Sequence, residues 1–456
     1  MTSIKTKIFA LAVFLLSWPC EIQARDVYVR LANAGSYTVG ITQGMLTMTD
    51  ADGRLVNLGE EANIAVNDKS AIIMGNEFPL PVRLSGAGLL QFKGRNYRGA
   101  FLITQRGGLL NVLDIEQYLC GVLPAEVGAN WHIQALRAQA ICARTYAIKQ
   151  SMKRAEKGYD VVDTDADQVY KGAGVETAKT NQAVSATAGQ VLTYGKELAY
   201  TYFHSDSGGH TANISDVWGQ NLPYLTGVPE VVNYKSPVSV WNAKISASTI
   251  QSAVKKVTGT DIGTVTEVQV SEVDEGGRAN KITVTGSNGS KTIKASQFRT
   301  AVSPRAIKST MLTPSGGAFN VSNTATPSGL VSIQKSQQPL SPGLTFEEEQ
   351  GIAKMTSEGV FTTTELIDML TNPSKKKAYY QIGIGRAGKP AVQKPKMAKY
   401  GYTVEKSGSD FIFYGRGWGH GVGLCQWGAM AMADHGYTAE KILEHYYPGT
   451  AVKKIK

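Results

Sequence analysis

The chain has 456 residues, a net charge of +10, and 42% hydrophobic against 18% charged residues. That length can bury more than one core, so two or three domains are expected, and the composition is ordinary for a soluble globular protein. The positive excess points to a polyanionic neighbour. With no compact arginine-rich run and no zinc-finger spacing, wall polymer or lipid headgroups rank ahead of nucleic acid, which is not expected as a partner.

In chain order, Lys5 and Lys7 precede the apolar run "IFALAVFLLSW" and then "PCEIQA". This is the charged region, core and small-residue end of a signal peptide over residues 1–24, with cleavage expected after Ala24. The chain is therefore read as exported, to the periplasm or extracellular envelope. The signal, or an anchor retained from it, contacts the membrane during export. Cys20 invites a lipoprotein reading, but Pro19 before it fits poorly. Three cysteines remain: Cys120, Cys142 and Cys425. They form no disulfide framework and no metal-ligand spacing, and read as buried small residues or as one bridge plus a free thiol.

Residues 25–112 alternate apolar and polar in short runs, such as "DVYVRL" and "AFLITQ", and predict a β-rich unit. From Asn130, a plausible N-cap, the period changes to 3.6. Ile133, Leu136, Ala140, Ala143 and Ala147 form a small-residue stripe, while Arg137 and Arg144 share another face. Strand and loop return over 185–230. Residues 241–313 hold another alternating set, with a helix expected at 246–258. The segment 314–408 opens rich in Ser, Thr, Pro and Gln, as a linker does. It continues through a short helical pattern ending before Pro373 to a basic stretch around Lys375, Lys376 and Lys377.

Three stretches carry chemistry. In "YLCGVLPAEVGANW", Pro124 and Gly128 bracket Glu126 on a turn upstream of the long helix, next to Val122, Val127 and Trp131. Desolvation there would hold the carboxyl protonated, as a general acid requires. A helix-entry glutamate favoured by the macrodipole would do the opposite, and the residues alone leave both readings open. "YFHSDSGGHT" gathers His204, Ser205, Ser207 and His210 around a glycine pair without a nucleophile-elbow pattern. "GRGWGHGVGLCQWGAM" places glycine at every second position from Gly415 to Gly423. If extended, it shows a bare face to a close neighbour, with Arg416, Trp418, His420 and Val422 opposite. A carbohydrate groove and tight internal packing both suit that pattern.

These stretches, together with "QVYKG" and "VWGQNLPYL", resemble the SpoIID/LytB family of sporulation proteins and cell-wall amidase enhancers, over roughly 88–313 and 409–452. The resemblance implies an α+β catalytic core. The expected fold class is thus α+β: a β-rich N-terminal unit, residues 113–313 and 409–456 as a core built on the long packed helix, and an insertion between them. It also implies a lytic transglycosylase acting on peptide-stripped peptidoglycan glycan strands, with Glu126 as general acid and base, assisted by Arg144. Arg137, Gln168, Tyr170, His204, Ser207, Gly208, Trp418, His420 and Gln426 are the implied substrate-binding residues. The alternative is a non-catalytic activator with a cell-wall amidase as partner. No cofactor is implied. Some relatives carry cysteines suited to zinc where this chain has Val162 and Asp167, so no zinc site is expected. Further departures are Trp131-His132, Cys425-Gln426-Trp427 and the insertion itself.

Overall fold

A computed structural model describes residues 26–314 except 68 and 107, parts of 348–386, and 401–455. The expected signal peptide and the low-complexity part of the insertion lie outside the described residues. The fold is α+β. Strand Asp26–Ala32 pairs antiparallel with Gly108–Asp114 and parallel with Val161–Val162, within a seven-stranded sheet. A six-stranded sheet, with Ser36–Ile41 between Leu90–Phe92 and Glu61–Val66, packs into the same core. Alternation does the sorting: Val27 and Val29 point into the core, while Asp26 and Tyr28 face out. Each such valine stabilises the fold by about 1.5–3 kcal/mol.

Strand Gly108–Asp114 runs straight into helix α1 (Ile115–Glu126). The Asp114 carboxylate caps it by accepting from the Glu116 and Gln117 amides, a capping interaction of about 1 kcal/mol. Helix α2 (Ile133–Lys153) follows and is the axis of the protein. Its expected stripe, Leu136, Ala140, Ala143 and Ala147, packs into the first core with α1. Its opposite side, Ala135, Ala138, Ile141 and Cys142, packs into a second core. Small side chains are needed because both flanks approach closely. The cap of α2 corrects the sequence reading. It is not Asn130 but His132, whose Nδ1 accepts from the Gln134 amide. Trp131 folds back over Gly128 and keeps the chain out of the helix until then.

Helix α3 (Ala178–Ala186) packs on α1 and α2, and α4 (Ile214–Trp218) ends at Gly219 in the left-handed conformation. The helix expected at 246–258 is α5 (Ala247–Thr258), capped by Ser246. With α6 (Ala295–Val302) and strands Val265–Val273, Ala279–Gly286 and Gly289–Lys294 it builds a third core. The chain leaving at Thr313 returns to that core. Tyr402–Thr403 pairs with Val265–Val273, and Asp410–Gly415 pairs with both Trp241–Ser246 and Leu312–Thr313. The insertion thus starts and ends on neighbouring strands, and within it α7 (Lys376–Arg386) begins at the basic run. Helices α8 (Gln426–Asp434) and α9 (Ala439–Tyr446) complete the second core against α2. No helix among the described residues is long and apolar enough to cross a membrane. Cys120, Cys142 and Cys425 are all free thiols, the last two buried.

One ion pair ties α1 to α2. Arg144 is fully buried, and its guanidinium donates to both Glu116 oxygens at 2.8 and 2.6 Å and to the Gln190 carbonyl at 3.0 Å. Removing one partner of a buried pair strands the other charge, at a cost of about 3–5 kcal/mol. Glu116 is partly exposed, so the low end of that range applies. Urea unfolding of Glu116→Ala should therefore show a loss of about 3 kcal/mol. Unchanged stability would mean that the pair does not hold the two helices together.

Candidate active site

Glu126 is the last residue of α1, not a residue at a helix entry. This removes the helix-entry alternative. A helix N-terminus would favour the ionised carboxylate, whereas the C-terminal end disfavours it. Burial dominates, and pushes the Glu126 pKa up to about 7 from 4.5. Hydrogen bonds from the Val169 backbone N–H (2.6 Å) and the Gln426 side chain pull the other way, while the negative charge of exposed Asp165 adds to the rise. At neutral pH the carboxyl is poised between its two forms, as acid and base work requires.

Half-buried Trp131 and Trp427 pack with ring centroids 5.0 Å apart. The Trp131 ring lies so close over Gly128 that a Cβ there would sit 2.3 Å from its Nε1. The main chain of "QVYKG" supplies the Val169 amide. Asp167, two residues earlier, accepts from Tyr146 Oη, the Val162 amide and both terminal nitrogens of Arg154. Its carboxylate is therefore committed to shaping this turn.

Several residues expected to bind substrate lie behind this surface. Arg144 does not orient Glu126, because its hydrogen bonds go to Glu116 and to backbone across α3. Gln168 is fully buried, accepting from Tyr118 Oη and donating to the Ala143 carbonyl, and Tyr170 Oη donates to Asn111. These two residues set the position of Val169 from below. Ser207 is fully buried and donates to Glu230. A Cβ at Gly208 would meet the Arg416 carbonyl at 2.8 Å. His204 is buried, its Nδ1 lies 3.3 Å from the Val422 carbonyl, and burial holds its pKa well below the ordinary value. Its Nε2, Arg137 Nε and both amide atoms of Gln139 have no hydrogen-bond partner among the described residues. Gln426 is the expected binding residue that does meet Glu126. Sequence reasoning gave no role at Glu126 to Val169, Trp427 or Asp165. A backbone N–H leaves no side-chain signature, and the other two become relevant only through the fold.

A second buried carboxyl, Glu230, is also pushed above its ordinary pKa by burial. Ser207 and Tyr446 donate to its two oxygens, each at 2.6 Å, and α8 closes over it at Gly428. It has no room for a reactant. Cys425 lies in the same cluster, with its thiol driven well above the ordinary range by burial and by Glu230. It caps α8 through the Gly428 amide and is no nucleophile.

The glycine-alternating stretch corrects another expectation. It is extended only to Gly415; from Arg416 to Gly423 it is a loop threaded through the interior. Gly419 has φ +126°, and a Cβ there would lie 2.6 Å from the His204 Cβ. At Gly423, φ is +74° and a Cβ would meet the Tyr202 carbonyl at 2.0 Å. The close neighbours of the glycines are thus the protein's own side chains and backbone. Trp418 is 39% exposed and carries Lys308 Nζ 5.6 Å from its ring centroid. His420 is half-buried and held neutral at a pKa of about 3 by burial and by the Arg299 charge. Gly419→Val should lower stability by about 1–3 kcal/mol from overpacking, with a similar amount from backbone strain. Trp418→Ala should stay within about 1 kcal/mol of wild type. Thermal unfolding of both checks this, and equal losses would contradict it.

Residues 104–194 match the family model SpoIID, stage II sporulation protein. That span contains Glu126, α2 and the Val169 turn. The chain is 26% identical to stage II sporulation protein D of Bacillus subtilis over 359 residues, covering 75% of each protein. It is 27% identical to an amidase enhancer of the same organism over 334 residues, which is 73% of this chain but 40% of that protein. An uncharacterised protein of Brachyspira hyodysenteriae matches at 26% over 347 residues, 75% of this chain and 68% of that one. The resemblance carried by the motifs is thereby shown: the chain is similar to stage II sporulation protein D and to the amidase enhancer over most of its length.

Proposed function

We propose that the protein is a peptidoglycan lytic transglycosylase with Glu126 as its acid and base. The observation that carries this reading is one half-buried carboxyl at a helix C-terminus, which accepts from the Val169 amide and the Gln426 side chain and whose pKa burial raises to about 7. In the proposed reaction, protonated Glu126 donates to the bridging oxygen of a β-1,4 bond between muramoyl and glucosaminyl units. The bond from C1 to that oxygen breaks. The muramoyl C6 hydroxyl oxygen then bonds to C1 and returns its proton to Glu126, leaving a 1,6-anhydro end. The attacking hydroxyl belongs to the substrate, so no second carboxylate is needed to activate water, unlike in two-carboxylate hydrolases. The Val169 amide and Gln426 hold the carboxylate form between the two transfers. The expected site is the cell envelope, in keeping with the relatives.

The second reading is an activator of a cell-wall amidase, favoured by the likeness to the amidase enhancer. Glu126→Gln separates the two. Incubated with peptide-free glycan strands, the wild type should yield anhydro-ended products by mass spectrometry and the variant none. An equally active variant would remove Glu126 from the chemistry. Stimulation of an amidase by a protein that cuts no strand would favour the activator.

The pH dependence has a definite sign. The acid step needs the protonated form, so kcat/KM should fall as pH rises past about 7. Folding stability follows the same ionisation. The folded pKa is raised, so relative to Glu126→Gln the wild type keeps its full stability below about pH 4.5. It loses that stability as the pH rises through about 7, by on the order of 3 kcal/mol in total. Denaturant titrations of both proteins at pH 4 and pH 8 measure the difference, and a constant gap would contradict the burial argument.

A further inference from the structure

A set of rings away from the acid has no structural reason to face solvent. Tyr200 and Tyr202 stack with centroids 5.8 Å apart and planes 8° from parallel. Trp218 meets Tyr202 at 4.8 Å and His420 at 4.9 Å, and Tyr146 meets Tyr202 at 6.3 Å. Trp218 is 43% exposed, and the other four are half-buried. A packing cluster would hide its largest ring, and this one presents it.

The cluster is held rigidly. Trp218 is the last residue of α4, which stops at left-handed Gly219 and is tied to α6 by Ser296 donating to the Val217 carbonyl. Both nitrogens of His420 are committed to backbone, Nδ1 accepting from the Val422 amide and the other bonding to Phe203. Held neutral, His420 offers a flat face rather than a proton or a charge. Its expected role as a polar contact to substrate becomes that of a ring in a platform. Lys149 Nζ stands over the Tyr200 ring, 4.8 Å from its centroid, and covers that face.

Tyr146 links the cluster to the turn that holds the acid. Tyr146 Oη donates to Asp167, and Val169, two residues on, donates to Glu126. From these placements we infer that Trp218, backed by Tyr202 and His420, forms a glycan subsite, its exposed indole stacking on a sugar ring distant from the cleaved bond. The occupant is a neutral pyranose. Its C–H face suits an amphipathic ring whose polar tip stays wet, and a rigid ring loses little entropy on contact. The inference rests on the glycan reading of the site but not on cleavage.

The test is calorimetric binding of N-acetylglucosamine dimer and hexamer to the Glu126→Gln protein, with and without Trp218→Ala. The hexamer should bind at least about tenfold more tightly than the dimer in the parent, and Trp218→Ala should remove most of that advantage. Trp218→Phe should keep most of it, since it retains a ring, and unaltered thermal unfolding in both variants excludes misfolding. A hexamer advantage that survives Trp218→Ala, or a parent that does not distinguish the two lengths, would overturn the subsite. A wild type that cuts no strand while its length preference depends on Trp218 would overturn the transglycosylase and leave the subsite standing.

Discussion

A half-buried carboxyl at the C-terminal end of a helix is the constraint around which this protein is arranged. Removing a carboxylate from solvent is costly, and the helix end makes it more so, so Glu126 holds its proton to about pH 7. Two donors, Val169 and Gln426, limit the rise. Without them the group would be an inert acid; without burial it would be an ordinary surface carboxylate.

Holding that balance requires order in the layers behind it. The Arg144–Glu116 pair locks α1 to α2, and Gln168 and Tyr170 fix the turn that carries the Val169 amide. Gln426 comes from the far end of the chain, at the start of α8. It is brought there by a loop that threads the interior from Arg416 to Gly423. The glycines of that loop let it pass His204 and Tyr202 at contact distance. Gln168 and Tyr170, on either side of Val169, make internal hydrogen bonds that anchor its turn.

Much of this was legible in the sequence where one residue's environment is set locally. The β-rich start, the stripe along α2, and the helix at 247–258 follow from periodicity alone. Glu126 stood out by its Pro-x-Glu motif among apolar neighbours, although the turn expected there is the last turn of α1. Direction was less legible: nothing local says whether Glu126 ends one helix or begins the next, and the answer reverses the sign of the dipole's effect. The alternation of glycines suggested a strand, whereas left-handed backbone at every second residue gives the same pattern. Arg144 and Ser207 carry groups that often bind substrate, and only the fold shows Glu116 and Glu230 already occupying them. Trp218 lay within a recognised motif, and its exposure is a property of α4 and its neighbours rather than of the motif.

The account stands on the protonation state of one side chain, and that can be read directly. Carbon-13 carboxyl NMR of glutamate-labelled protein, with the Glu126 resonance assigned by its loss in Glu126→Gln, follows the ionisation without any assay of activity. A midpoint near 7 is predicted. A midpoint in the ordinary glutamate range, near 4.3, would contradict the burial argument and the acid–base role built on it.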